Sequence, residues 1–144
     1  MRNRTDSPES TQELGRKLGE KLSNGSVVAF FGDLGAGKTT FIKGLVAGAT
    51  GIDPKEVNSP TFTYLNIYTG RTIVYHFDLY RFQRPEEFFA LGFDEYFQEG
   101  GICCIEWAER IVSLLPEEVI KVQFRLGAPN QREIWVEDEK NLVC

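Results

Sequence analysis

Leu14, Leu18 and Leu22 recur at four-residue spacing across residues 11–22, which predicts one apolar face of a helix, with Asn24 and Gly25 as its stop. The next apolar run, residues 27–31 (VVAFF), is bounded by Gly25 and Gly32 and reads as a short strand buried on both faces, as in a parallel sheet. From Lys38 onward Phe41, Ile42, Leu45 and Val46 form a second helical stripe, ending near residues 48–51. Residues 61–68 and 72–77 are rich in Thr, Tyr, Ile and Val and flank Thr69-Gly70-Arg71, so they predict a hairpin or an adjacent strand pair. Pro85 opens a short helix with Glu86 and Glu87 in its first turn, where the helix dipole favours negative charge and where an acidic pair is ordinary decoration. Residues 101–105 (GICCI) predict a second buried strand. At the C-terminal side, Ile120, Val122, Phe124 and Leu126 alternate with polar residues, as do Ile134 and Val136, which predicts an antiparallel hairpin.

Strands alternating with helices place the chain in the α/β class. The expected architecture is a P-loop NTPase-like three-layer α/β/α arrangement with a mixed, mostly parallel central sheet and a C-terminal antiparallel hairpin. The 144 residues are 42% apolar, enough for one core, and no repeat or linker divides them, so residues 1–144 are read as a single domain. Sixteen Lys and Arg against twenty-one Asp and Glu give a charge of −5, the wrong sign for holding RNA or DNA by phosphate neutralisation alone. The basic start has no apolar stretch behind it, and the longest apolar runs fall far short of the roughly 20 residues that cross a bilayer. A cytoplasmic protein without membrane contact is expected. Cys103 and Cys104 sit inside an apolar run and Cys144 is terminal; with His76 alone beside them and no C-x-x-C, they read as inert thiols or small hydrophobes and not as a zinc site.

Gly32-Asp33-Leu34-Gly35-Ala36-Gly37-Lys38-Thr39 matches G-x-x-x-x-G-K-[ST] in full, directly after a buried strand and directly before a helix, with Thr40 following. Composition alone yields the pattern in about one chain of this length in two hundred, before those flanks are demanded. Its glycines let the backbone turn tightly and point several N–H groups into one concavity at a helix N-terminus, a nest for anionic oxygens. Lys38 adds a mobile positive charge for the β- and γ-phosphates of ATP, and Thr39 a hydroxyl for Mg²⁺. A structural turn has no use for Lys-Thr after the third glycine.

Such a site needs an acid near the Mg²⁺, usually at the C-terminal end of a neighbouring buried strand. Residues 102–106 end in Glu106 and residues 73–78 end in Asp78. The cleaner apolar run favours Glu106 as the Mg²⁺ partner and leaves Asp78 to hold or polarise the attacking water, although the two roles are interchangeable on this reading. Ser59-Pro60-Thr61 lies where a switch loop would report the γ-phosphate; a plain turn before a strand explains it equally well.

The segments GDLGAGKTTF (32–41), SPTFT (59–63), YHFDLYRF (75–82), PEEF with a following LG (85–92) and IEWAER (105–110) together resemble the TsaE (YjeE) family, the bacterial ATPase of tRNA threonylcarbamoyladenosine biosynthesis. The resemblance covers about residues 32–110, with weaker likeness in the first helix. It implies an ATPase that is feeble alone and acts with the partner proteins TsaB and TsaD, which place the threonylcarbamoyl group on the adenosine next to the tRNA anticodon. The chain would reach tRNA only indirectly. By matching motifs, Lys38 binds phosphates, Thr39 and Glu106 bind Mg²⁺, Thr61 is the switch-like threonine, Asp78 is needed for hydrolysis, and Trp107 lies at the nucleotide site or on a partner surface. Residues after 110 carry no matching signature.

Three rival classes remain in view. A GTPase needs an N/T-K-x-D segment and a D-x-x-G switch, and neither occurs. A small-molecule kinase needs a lid or acceptor pocket for which little chain is spare, with Arg81, Arg84 and Arg110 as the available clamps. A non-hydrolysing module would use ATP only to order residues 59–63 for a partner.

Overall fold

The computed structural model describes residues 2–32, 37–60 and 62–137. In chain order these form β1 (Arg2–Thr5), α1 (Pro8–Lys21), β2 (Val27–Gly32), α2 (Lys38–Thr50), β3 (Leu65–Thr69), β4 (Ile73–Asp78), α3 (Glu86–Ala90), β5 (Ile102–Glu106), β6 (Ile120–Leu126) and β7 (Arg132–Glu137). Short 3-10 helices at Pro54–Glu56, Phe93–Gln98 and Ala108–Leu114 complete the list. The strands make one sheet in the order β1-β7-β6-β2-β5-β4-β3.

The α/β class and the C-terminal hairpin are as the pattern predicts. The sheet is more evenly mixed than expected. Its four central strands, β6, β2, β5 and β4, are mutually parallel. The outer pairings, β4 with β3, β6 with β7 and β7 with β1, are all antiparallel. Strand β1 was not foreseen. Its residues Arg-Asn-Arg-Thr lack an apolar member; it pairs antiparallel with β7, and Arg2 and Arg4 reach Glu133 across that pairing at 2.8 and 3.3 Å. These neighbours hold the Glu133 carboxyl below its ordinary range, chiefly through the Arg2 hydrogen bond.

Alternation along the strands sends successive residues to opposite faces. Val28, Phe30, Val74, Ile102, Cys104, Val122 and Phe124 pack under α1 and α2. Val27, Ala29, Tyr75, Phe77, Cys103 and Ile105 pack on the other side with Phe88 of α3 and Ile111. That third layer is built from α3 and the short 3-10 segments, which lie in the connections 79–101 and 107–119. Burial pushes the Cys103 thiol up to about 12, and raises Cys104 as well. Both are therefore uncharged and unreactive near neutral pH. Cys144 lies outside the described residues.

Helix α1 begins three residues earlier than its leucine pattern, because Ser7 caps it, exchanging hydrogen bonds with Ser10, and Pro8 fits its first turn. Its partner contact is made by glycine. A Cβ on Gly15 would stand 2.1 Å from the Phe41 carbonyl oxygen, and one on Gly44 would stand 1.9 Å from that of Gln12. Gly19 and Gly48 repeat the contact one turn further along each helix. The two backbones therefore touch directly, and the leucines flank the seam instead of forming it. A methyl group has nowhere to go, since the obstructing atoms are backbone. Gly44→Ala is expected to destabilise the fold by about 1–3 kcal/mol or more, read as a lower midpoint in thermal or urea unfolding; an unchanged midpoint would contradict the direct backbone contact.

Candidate functional site

The parallel strands β2, β5 and β4 run side by side, so their C-terminal ends open on one edge of the sheet. At that edge β2 ends in Gly32, whose φ of 129° and whose approach to Phe124, where a Cβ would stand 2.2 Å from the carbonyl oxygen, admit only glycine. Asp33, Leu34, Gly35 and Ala36 of the glycine-rich motif lie outside the described residues. Beyond them Gly37, left-handed at φ 92°, stands at the N-cap of the 13-residue α2, which has no acidic residue in its first turn. The strand and helix flanks that the motif requires are thus both present, and the free N–H groups and positive end of α2 point toward the edge.

Lys38 opens α2 and is buried. Its ammonium donates to the Gly32 carbonyl at 3.0 Å and stands 4.9 Å from the centre of the Trp107 ring. No carboxylate lies within ion-pair distance of it among the described residues. A buried ammonium held by a carbonyl and a ring alone is under-compensated, and an anion is the partner that would complete it. Thr39 is exposed and Thr40 half-buried.

The two strand-end acids are brought together. Asp78 and Glu106 are register partners on β4 and β5, and Glu106 is also level with Phe30 of β2. Both are buried, and both belong to the strand positions that face α2. Asp78 is anchored at both oxygens: one accepts from the Tyr80 backbone N–H at 3.0 Å and the other from the Ser59 hydroxyl at 3.2 Å. Ser59 thereby ties the 59–63 loop to the acid, although Thr61 itself lies outside the described residues. Glu106 has a different partner, the His76 ring, whose Nε2 is 2.8 Å from Oε2. No other hydrogen bond to the Glu106 carboxylate occurs among the described residues. His76 was absent from the sequence-derived site; its place two residues before Asp78 puts both on one face of β4 but does not by itself mark it as facing an acid.

Trp107 follows β5 in the left-handed conformation, φ 59°, and so turns out of the sheet. Its ring meets Tyr80 at 5.0 Å and lies under the Arg110 guanidinium at 5.5 Å as well as under Lys38. Arg110 also donates toward the Tyr80 carbonyl at 3.4 Å. Arg81 covers Phe62, a side chain 77% exposed beside the 59–61 segment. A cavity of about 440 Å³ borders Gly32 from the other direction, lined by Gln123, Phe124, Arg125, Trp135 and Glu137. Neither Asp78 nor Glu106 belongs to it.

The residues in place fit a magnesium triphosphate: an under-compensated ammonium, a helix N-terminus, and a buried carboxylate with one oxygen held and one without a described partner. No cluster of three or more His, Cys, Asp or Glu suited to a metal occurs among the described residues. That is consistent with Mg²⁺, which needs only one or two protein ligands beside phosphate oxygens.

Residues 5–134 match the family model described as Threonylcarbamoyl adenosine biosynthesis protein TsaE. The tRNA threonylcarbamoyladenosine biosynthesis protein TsaE of Treponema pallidum is 45% identical, over 94% of this chain and 99% of that protein. The protein of the same description from Bacillus subtilis is 41% identical, over 91% and 81%. Among solved structures, a crystal structure of Bacillus subtilis YdiB superimposes with a TM-score of 0.79 at 34% identity, over 96% of this chain and 84% of that one.

The stacking of Lys38 on Trp107 makes the ring a reporter. In a Trp135→Phe protein, which leaves Trp107 as the sole tryptophan, addition of MgATP is expected to change the emission spectrum. Lys38→Ala should remove the response. A spectrum that ignores saturating MgATP would speak against the placement of Trp107 beside the site.

Proposed function

The chain belongs to the TsaE family, and from that premise we propose that it serves tRNA threonylcarbamoyladenosine biosynthesis as a weak, Mg²⁺-dependent ATPase acting with TsaB and TsaD. The observation that carries the reading is the register pairing of Asp78 with Glu106 beside the buried Lys38, at the mouth of a strand that enters a complete glycine-rich phosphate motif.

Residues 32–37 and the first N–H groups of α2 supply donors for the phosphate oxygens, as the positive end of a helix does for any oxyanion. Lys38 exchanges the Gly32 carbonyl for the β- and γ-phosphates. Thr39 and Glu106 would hold Mg²⁺, which would supply neutralisation of the charge that develops on the phosphate oxygens. Asp78, anchored by Tyr80 and Ser59, stands where it holds or polarises the attacking water. Because Ser59 is bonded to that acid, a change in residues 59–63 on nucleotide binding is felt at Asp78, which supports Thr61 as the γ-phosphate sensor. Trp107 borders the phosphates through Lys38.

A carrier of energy to partner proteins needs no basic face, and the charge of −5 suits contact with tRNA through TsaB and TsaD only. No helix among the described residues is long and apolar enough to cross a membrane. We place the protein in the cytoplasm, with the tRNA that its partners modify.

Lys38→Ala is expected to weaken MgATP binding about tenfold or more, the loss of a charge-assisted contact, and to abolish modification reconstituted with the partner proteins. Glu106→Gln should retain nucleotide and lower turnover by about two orders of magnitude. Full modification by both variants would remove the catalytic reading and leave a non-hydrolysing module. Labelled phosphate found on an acceptor other than water would identify a small-molecule kinase instead.

A further inference from the structure

His76 is fully buried, in a strand whose other inward residues are apolar or acidic. A carboxylate accepts hydrogen bonds, so the ring nitrogen that faces Glu106 carries a hydrogen: Nε2 donates it to Oε2 at 2.8 Å. The second ring nitrogen, Nδ1, is buried, and no partner for it occurs among the described residues. A leucine or methionine would fill the same space without an unsatisfied polar atom, and a buried polar pair is poor as a device for stability alone. The pair lies on the α2-facing side of the sheet, between the apolar Val74 and Cys104 and the open edge.

We infer that His76 is a positioning residue: its Nε2–H fixes one oxygen of Glu106, so that the carboxylate presents the other to the magnesium ion of the bound nucleotide. The inference rests on the reading of Glu106 as the magnesium-facing acid. A glutamate has three side-chain torsions, and holding Oε2 from the neighbouring strand removes the freedom that an unanchored ligand would spend on binding. Partners of metal-binding groups commonly set metal affinity in this way, by about ten- to a hundredfold. Asp78 is secured separately by Tyr80 and Ser59, so the two acids are oriented by independent bonds and respond to different substitutions.

The test compares the affinity of a non-hydrolysable imido analogue of ATP in Mn²⁺ with its affinity in EDTA, by calorimetry, on full-length protein. The ratio of the two isolates what the metal adds. Glu106→Gln and His76→Leu are each expected to reduce that ratio about tenfold while leaving the EDTA affinity within about twofold. His76→Gln, whose amide nitrogen can take the place of Nε2, should restore most of it. His76→Asn, polar but too short to reach Glu106, should fail to restore it and guards against a leucine variant that does not fold.

A normal ratio in His76→Leu and His76→Asn alongside a reduced one in Glu106→Gln overturns the role of His76 and leaves Glu106 as the metal acid. An equal loss in Mn²⁺ and in EDTA shows a purely structural histidine and also overturns it. A normal ratio in Glu106→Gln removes the reading of Glu106, and this inference with it.

Discussion

Everything at the candidate site depends on the parallel pairing of β4 and β5 beside β2. Side chains on a strand alternate with a period of two, so a slip of one residue in either pairing would turn Asp78 or Glu106 away from α2 and into the opposite layer. The register is defended by what lies beneath it. Val74, Ile102, Cys104, Val28 and Phe30 form a continuous apolar floor under α2, and Tyr75, Phe77, Cys103 and Ile105 do the same on the far side. With both faces buried, a slipped strand would set side chains of the wrong size against each layer, and a close-packed interior resists that. The acids occupy the last position of each strand, where the floor ends and the edge opens.

The features that a single stretch of sequence encodes were legible in advance. The strand-loop-helix at residues 27–50 follows from a buried run, three glycines and a helical stripe, and the structure has β2 and α2 where these place them. Strand-end acids were readable for the same reason. Features that depend on distant partners were hidden. Strand β1 has no apolar signature and is defined by its pairing with the distant β7. The bond from His76 to Glu106 spans two strands, and no local pattern in YHFD distinguishes a histidine that faces an acid from one packed in a core. The glycines of α1 were visible, but their meaning came from Gly44 and Gly48 in the facing helix. Asp33, Leu34, Gly35, Ala36 and Thr61 fall outside the described residues, so their placement rests on the sequence alone.

Charge is handled economically around the opening. Lys38 and Arg110 both stand over a single ring, Trp107, which Tyr80 also meets. Such stacking stabilises a cation modestly while leaving its hydrogen-bond donors free. An arginine or lysine locked in a carboxylate pair would be harder to recruit, because the paired acid would be left buried and alone. The contact of Lys38 with a ring and a carbonyl keeps the ammonium in the protein and still available to an incoming oxyanion.

The glycine seam between α1 and α2 has a mechanical corollary. With carbonyl oxygens where side chains would normally interpose, there is no compliant layer for one helix to slide across, and the pair behaves as a single stiff plate on the sheet. The hydroxyl contact of Thr5 with Thr11, at 2.6 Å, bolts the first strand to that plate. The opposite rim is built differently: around residues 62–64 and 79–93 the connections join short elements and carry exposed aromatic rings.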